Sequence, residues 1–340
     1  MDLTLNLIMM MPAAFKKRLL RGNDIHRDNR SMNPGMQIIL GILKQRGITN
    51  NINDFEPELI RDLYDKVAER LQKWPPRIKH QDHQIDVNNG SITVREYFPK
   101  NDTHNGQTLL YFHGGGFSIG SLKTHDTMCK HLVQLLGYKI FSVEYRLAPE
   151  HPFPIPLEDC DKAMDWLVEN ADNLGVDPEK IAIGGDSAGG NLATCLCIKR
   201  LEESKQTPER QLLLYPGIDT KGDHKSLKTF TDGYFLLTQE LLDWFGNNYA
   251  KEENYQNIYV SPMQYQHPEK LPPAMIITAG FDPLRDEGHA YAEFLKKAGV
   301  KVYYKEYEGL IHGFANFTIE PTCYQAIVEI AKEFKRIRIN

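Results

Sequence analysis

The stretch Gly185-Asp186-Ser187-Ala188-Gly189 lies where the apolar run KIAIGG passes directly into the helical pattern NLATCLCIK. G-x-S-x-G between a strand and a helix fits a nucleophile elbow, a sharp turn that holds a serine clear of the sheet. Such a serine has strained backbone angles, and glycines on both flanks let neighbouring chain segments approach without Cβ clashes. Its hydroxyl stands at the positive end of the following helix, where developing negative charge is stabilised. An N-capping serine in a tight turn is the plain alternative, and a phosphate loop is a second; the latter lacks both G-x-G-x-x-G and a GK[ST] ending. An activated serine needs an acid and a histidine, in that chain order after the elbow. Asp282 follows the apolar run AMIITAG, and His312 follows KVYYKEYEG. Both fall just past strand ends, where catalytic groups of such sheets gather. Asp282 can also cap a helix ahead of Pro283. Asp286 competes as the acid, but one turn into that helix it is expected to point elsewhere. Together the three residue types specify nucleophilic acyl transfer: Ser187 attacks, His312 takes its proton, and Asp282 orients the imidazole.

Acyl transfer also requires donors aimed at the oxyanion of the tetrahedral intermediate, and backbone N–H groups suit because they are fixed beforehand. A second glycine cluster, HGGGF at 113–117, follows the apolar run TLLYF and is bracketed by aromatic residues. Bare backbone there can fold inward towards the serine without blocking a substrate carbonyl. Gly114 and Gly115 are the expected donors, joined by the N–H of Ala188. Losing one such donor typically costs about 3–4 kcal/mol of transition-state stabilisation. His113 is expected to brace the loop by hydrogen bonding.

These residues need a scaffold, and the 340-residue chain has the length for a large α/β core with insertions. Residues 1 to about 75 read as helical, with apolar residues three and four apart in PGMQIILGILKQRG and EPELIRDLYDKVAERLQKW. From about residue 92, short β-branched and aromatic runs alternate with helical segments at 121–136, 156–171, 187–203, 284–298 and 321–337. That alternation predicts a mostly parallel central sheet flanked by helices and joined by right-handed crossovers. The long interval between RQLLLYP and AMIITAG exceeds a loop and contains the helical LTQELLDWFGNNYA. The expected division is a helical layer from 1–80 and 217–265 covering one edge of the sheet, and a core from 81–216 and 266–340. The aromatics of that interval, Tyr234, Phe235, Trp244, Phe245 and Tyr249, either pack the layer or line an acyl pocket. The Pro-rich YRLAPEHPFP should rigidify a loop near the site, with Glu144, Arg146 and Glu150 free to form ion pairs.

Composition narrows the partners. A net charge of −5 gives no attraction to nucleic acid or an anionic membrane. The N-terminal LTLNLIMMMPAA is too short to span a bilayer, and its basic cluster stands on the wrong side for a secretory signal. It is expected to be a helix packed on the protein surface, with no stable membrane insertion. Five scattered cysteines without CxxC spacing read as reduced core residues, which with the missing signal predicts a cytoplasmic location. His80 and His83 belong to the polar run KHQDHQ and suggest no metal site, so a chelator should leave activity unchanged.

HGGGF, YRLAPEHPFPIPLEDC, GGDSAGGNLA, LPPAMIITAGFDPLRDEG and IHGF, in that order, resemble the hormone-sensitive-lipase-like branch of the α/β-hydrolases, the bacterial carboxylesterases. The resemblance covers about residues 90–335. It implies an α/β-hydrolase core with a helical cap, hydrolysis of small-molecule carboxylic esters, and no metal or organic cofactor. It also supports Ser187, Asp282 and His312 as the triad, and Gly114, Gly115 and Ala188 as the oxyanion hole. Members of the branch are monomers or dimers, so a homodimer is among the expected assemblies. A binding protein on the same scaffold is the alternative from another class, and a receptor-like relative would be expected to lack the histidine that His312 supplies. The closed cleft suggested by Phe117 and the cap favours short to medium acyl chains.

Overall fold

The computed structural model describes residues 2–45, 56–72, 74–100, 105–232 and 236–337. Two short strands, β1 (His26–Arg27) and β2 (Arg30–Ser31), pair as a small hairpin. The main sheet has eight strands: β3 (Lys79–Val87), β4 (Gly90–Phe98), β5 (Thr108–Phe112), β6 (Lys139–Glu144), β7 (Ile181–Asp186), β8 (Gln211–Leu214), β9 (Ala274–Phe281) and β10 (Val302–Ile311). Their order is β10-β9-β8-β7-β5-β6-β4-β3, with β4 antiparallel to both β6 and β3 and every other pair parallel.

The central strands are buried on both faces, as near-continuous apolar runs require. In β5, Leu109 and Tyr111 enter one core cluster while Leu110 and Phe112 enter the other. β9 divides the same way, Met275 and Ile277 on one side and Ile276 on the other. The first cluster is closed by helices α3 (Pro34–Gln45), α5 (Leu122–Leu136) and α12 (Pro321–Arg336). In α12, Cys323, Ala326, Ile327, Ile330, Ala331 and Phe334 make the buried stripe expected at spacings of three and four. The second face carries α6 (Ile155–Glu169), α8 (Ala188–Glu202) and α11 (Arg285–Lys297). Each fully buried aliphatic or aromatic side chain in these layers contributes about 1.5–3 kcal/mol.

The strand β3 is not expected from the sequence, where KHQDHQ lacks any apolar alternation. It forms because β4 offers an antiparallel partner from Phe98 back to Gly90. As the sheet edge, β3 needs only Ile85 buried. His83 bonds Glu96 at 2.9 Å across this pair, and among the described residues no group of side chains could hold a metal ion.

At the N-terminus, α1 (Asp2–Met10) and α2 (Ala13–Leu19) lie on the surface. Met9 is buried, whereas Leu7 is 56% and Met10 71% exposed. Among the described residues no helix is long and apolar enough to cross a membrane. Lys16, buried, pairs with Glu320 at 2.7 Å and ties α2 to the start of α12. The hairpin is tied to both sides of the cleft: Asp28 pairs with Arg285 of α11 at 2.7 Å and with Lys225 at 2.5 Å. Lys225 begins α9 (Lys225–Phe230), in the long interval between β8 and β9. That interval also holds α10 (Gln239–Tyr249), and α4 (Pro57–Leu71) lies across from it over the ends of β5 and β7. All five cysteines are free and buried.

Candidate active site

The turn from β7 into α8 places Ser187 at φ 53° and ψ −119°, left-handed backbone that a non-glycine residue adopts at a cost of about 1–3 kcal/mol. Its N–H donates to the Leu214 carbonyl at 2.8 Å and its carbonyl accepts from Asn191 at 3.1 Å, so neighbours on both sides hold the strained angles. The flanking glycine is required by close approach: a Cβ on Gly189 would lie 2.0 Å from the carbonyl oxygen of Phe112.

Three strand ends converge here. Asp282 follows β9, His312 follows β10, and Ser187 follows β7. His312 Nε2 lies 2.9 Å from Ser187 Oγ, and His312 Nδ1 lies 2.9 Å from Asp282 Oδ2. The other Asp282 oxygen accepts the Leu284 N–H at 2.8 Å, so the acid also caps the turn before α11. Asp282 is buried and His312 nearly so. Asp286 points away, to Arg285 and to the N–H of Ser226.

The glycine loop departs from expectation at one position. The Gly114 N–H, one of the expected oxyanion donors, instead donates to Asp186 Oδ1 at 2.9 Å and is engaged with the scaffold. The loop then tightens: Gly115 has φ +122°, its carbonyl accepts from Ser118 and Ile119, and a Cβ there would meet the Ile119 oxygen at 2.2 Å. Gly115, Gly116 and Ala188 line the cavity in front of Ser187, and no described residue accepts a hydrogen bond from their N–H groups. Gly116 therefore presents the open N–H that was expected of Gly114.

Asp186 is the anchor beneath this loop, and its partners were not legible in the sequence. Besides Gly114 it accepts from Tyr111 Oη at 2.7 Å and Asn316 Nδ2 at 3.4 Å, and it faces His125 Nε2 at 3.2 Å. Burial alone would raise the Asp186 carboxyl, but His125, Tyr111 and His113 together hold it below the usual carboxylate range. His125 comes from α5 and Asn316 from the turn after His312, so one carboxylate joins four chain segments. His113, stacked on Tyr145 at 4.3 Å with its Nδ1 at the Gly114 carbonyl, is pushed down to about 3 by burial and by His125. It is a neutral brace.

The cavity holds about 620 Å³ and is mostly apolar. α4 supplies Ile60, Leu63, Tyr64 and Val67, and α10 supplies Leu241, Leu242, Phe245 and Tyr249. Of the expected aromatics, Phe245 and Tyr249 line it, Trp244 packs beside Phe245, and Tyr234 and Phe235 lie outside the described residues. Phe117 stacks on Tyr249 at 3.6 Å. From α4, Arg61 donates to the carbonyls of Ser118 and Ala148, both at 2.9 Å, and pairs with Glu150 at 2.7 Å. It clamps the glycine loop and the Pro-rich loop to the helix above them. Arg146 pairs instead with Asp159, and Glu144 accepts the Leu122 N–H.

A serine, an imidazole and a carboxylate in one relay, set on the ends of parallel strands beneath an apolar cleft, define a hydrolase of the α/β class. A model of the α/β-hydrolase fold matches residues 109–316, and the chain belongs to that family. It is 35% identical over 90% of its length to the carboxylic ester hydrolase LipN of Mycobacterium tuberculosis, covering 83% of that protein. It is 38% identical over 66% of its length to the ethyl acetate hydrolase of Pseudomonas putida, covering 71% of it. A hyperthermophilic esterase from the archaeon Pyrobaculum calidifontis superposes with a TM-score of 0.82 at 38% identity, over 88% of this chain and 97% of that one. Within the family the protein is a carboxylesterase of the hormone-sensitive-lipase-like branch, an enzyme that hydrolyses carboxylic esters.

Proposed function

We propose that Ser187 is the nucleophile, His312 the general base and acid, and Asp282 the residue that orients His312, in the hydrolysis of short- to medium-chain esters through an acyl-enzyme. The observation that carries this reading is the unbroken relay from Asp282 through His312 to Ser187, 2.9 Å at each step. His312 Nε2 accepts the hydroxyl proton as Oγ attacks the carbonyl, and Asp282 stabilises the imidazolium that forms. The oxyanion rests on the N–H groups of Gly115, Gly116 and Ala188. Collapse breaks the C–O bond, the alcohol leaves with the proton from His312, and a water deprotonated by His312 releases the acid. Because the base must be neutral, activity falls on the acid side.

A cavity of about 620 Å³ lies within the about 300–1,000 Å³ range of small-molecule sites, which supports modest acyl and alcohol groups over long-chain lipids. The helices above the cleft act as a cap from the N-terminal segment and the interval between β8 and β9. The test is hydrolysis of p-nitrophenyl esters from acetate to palmitate by the native protein and by Ser187→Ala, with chelator present. Activity on the shorter chains that falls by several orders of magnitude in the variant is expected. A folded native protein inactive on all chain lengths, or an equally active variant, overturns the assignment.

A further inference from the structure

One buried carboxyl in the cavity wall has no part in the relay. Glu287, in α11, is 3% exposed and shares the cavity lining with Ser187, His312, Gly217, Ile218 and Asp219. Its Oε1 accepts the Ile218 N–H at 2.6 Å and lies 3.4 Å from the Asp219 nitrogen. The segment it grips is bonded to the nucleophile: Gly217 N–H donates to the Ser187 carbonyl at 3.4 Å, and Asn191 of α8 donates to the Gly217 carbonyl at 2.8 Å. Glu287 thus holds from behind the piece of chain on which the elbow leans.

The charges around it are all committed or of the wrong sign. Arg285, on the same helix, turns to Asp28, Asp286 and the Gly280 carbonyl. On α9, Lys225 pairs with Asp28, and Lys228 pairs with Asp223 at 2.6 Å. His224 is taken by Asp219 at 3.1 Å, and His312 by Asp282. Facing Glu287 are the carboxylates of Asp219 and Asp282, and among the described residues no cation pairs with it. An ionised Glu287 would be a third negative charge in a dry corner.

We propose that Glu287 is a positioning residue that works as the neutral acid, holding the 217–219 wall against the elbow, and that its ionisation ends the enzyme's activity on the alkaline side. Burial pushes this carboxyl up to about 8, against the pull of its two N–H donors and with the help of Asp219 and Asp282. The sign follows. Below that pH the proton is held and the wall is in place. Above it the new charge is repelled by its neighbours and the wall loosens. The proposal rests on the esterase assignment above for its activity readout, and on no activity for its second readout.

The experiment is the pH profile of kcat/KM on p-nitrophenyl butyrate for the native enzyme, Glu287→Gln and Glu287→Ala, paired with thermal unfolding of native and Gln proteins over the same pH range. Glutamine keeps the acceptor and cannot ionise, so at neutral pH its kcat/KM stays within about threefold of native while the alkaline limb disappears. Alanine removes the acceptor and loses about tenfold or more at every pH. In the unfolding series the native protein weakens relative to the Gln variant as pH rises from the ordinary carboxyl value towards about 8, because the unfolded chain ionises first. An alkaline limb unchanged in Glu287→Gln, or full activity in Glu287→Ala, overturns the proposal. If the native enzyme hydrolyses nothing, the esterase assignment fails on its own and the unfolding series decides: a widening gap supports the neutral acid, and parallel curves overturn it.

Discussion

Asp186 offers the sharpest test of how the site is held. It is 2% exposed, and its truncation to alanine strips the buried Tyr111 hydroxyl and Gly114 N–H of their acceptor. Each orphaned donor costs about 1–3 kcal/mol. For these two donors the loss is about 2–6 kcal/mol in all. With an unfolding entropy of about 2.1 cal/mol/K per residue, this 340-residue chain should melt about 3–8 °C lower. The same truncation frees the loop that carries Gly115 and Gly116. Because those donors act on the transition state, kcat should fall about 100-fold with KM little changed. Asp186→Asn separates charge from shape. Its oxygen can serve Tyr111 and Gly114, while its amide faces His125 Nε2 and, once the Asn316 amide turns over, Asn316 Oδ1, a buried atom that bonds no described residue in the native protein. It should lose less than half of what alanine loses. The assays are a thermal melt and steady-state kinetics on p-nitrophenyl butyrate. Alanine that melts within about 1 °C of native and turns over normally, or asparagine that is as damaged as alanine, would refute the anchoring role.

The other expectations concern the elbow, the cleft and the clamp. Gly189→Ala drives a methyl to 2.0 Å from the Phe112 carbonyl, backbone that cannot yield, and should lower the melting temperature and abolish turnover together; a normally active variant would contradict the close approach. Among the described residues the cavity carries the carboxylates of Asp219 and Asp243 but no lysine or arginine. The mono-p-nitrophenyl ester of glutaric acid, anionic at its far end, should therefore be cleaved at least about tenfold less efficiently than p-nitrophenyl butyrate, and equal kcat/KM values would dismiss this charge filter. Arg61→Ala unpins Ser118 and Ala148 from α4 and should raise KM more than it lowers kcat, which initial rates over a range of substrate concentrations would decide.

What could be foreseen from the sequence was local. The turn at Ser187 is legible because strand, glycine, serine and helix lie within twenty consecutive residues, and the strand ends before Asp282 and His312 are marked by apolar runs. The glycine loop shows where this stops. HGGG announces bare backbone, but which N–H stays open is decided by Asp186, seventy-two positions away in the chain, and that contact engages the Gly114 N–H. His125 had no signal of its own, since THD near the start of a helix resembles a solvent face until β7 and the Asn316 turn close over it. Glu287 was hidden by its company, the charged LRDEG, which reads as an exposed first turn. β3 was invisible because an edge strand needs a partner more than a pattern.

The hairpin at 26–31 joins α11 beside the sheet to α9 in the interval between β8 and β9. Asp28 is shared by an arginine rooted beside the sheet and a lysine on the segment that roofs the cleft. The two pairs differ in exposure: Lys225 is 71% exposed while Arg285 is buried at 6%. Mobile ions therefore screen the Lys225 pair more than the Arg285 pair, so rising ionic strength should loosen the hairpin from α9 before it loosens it from α11.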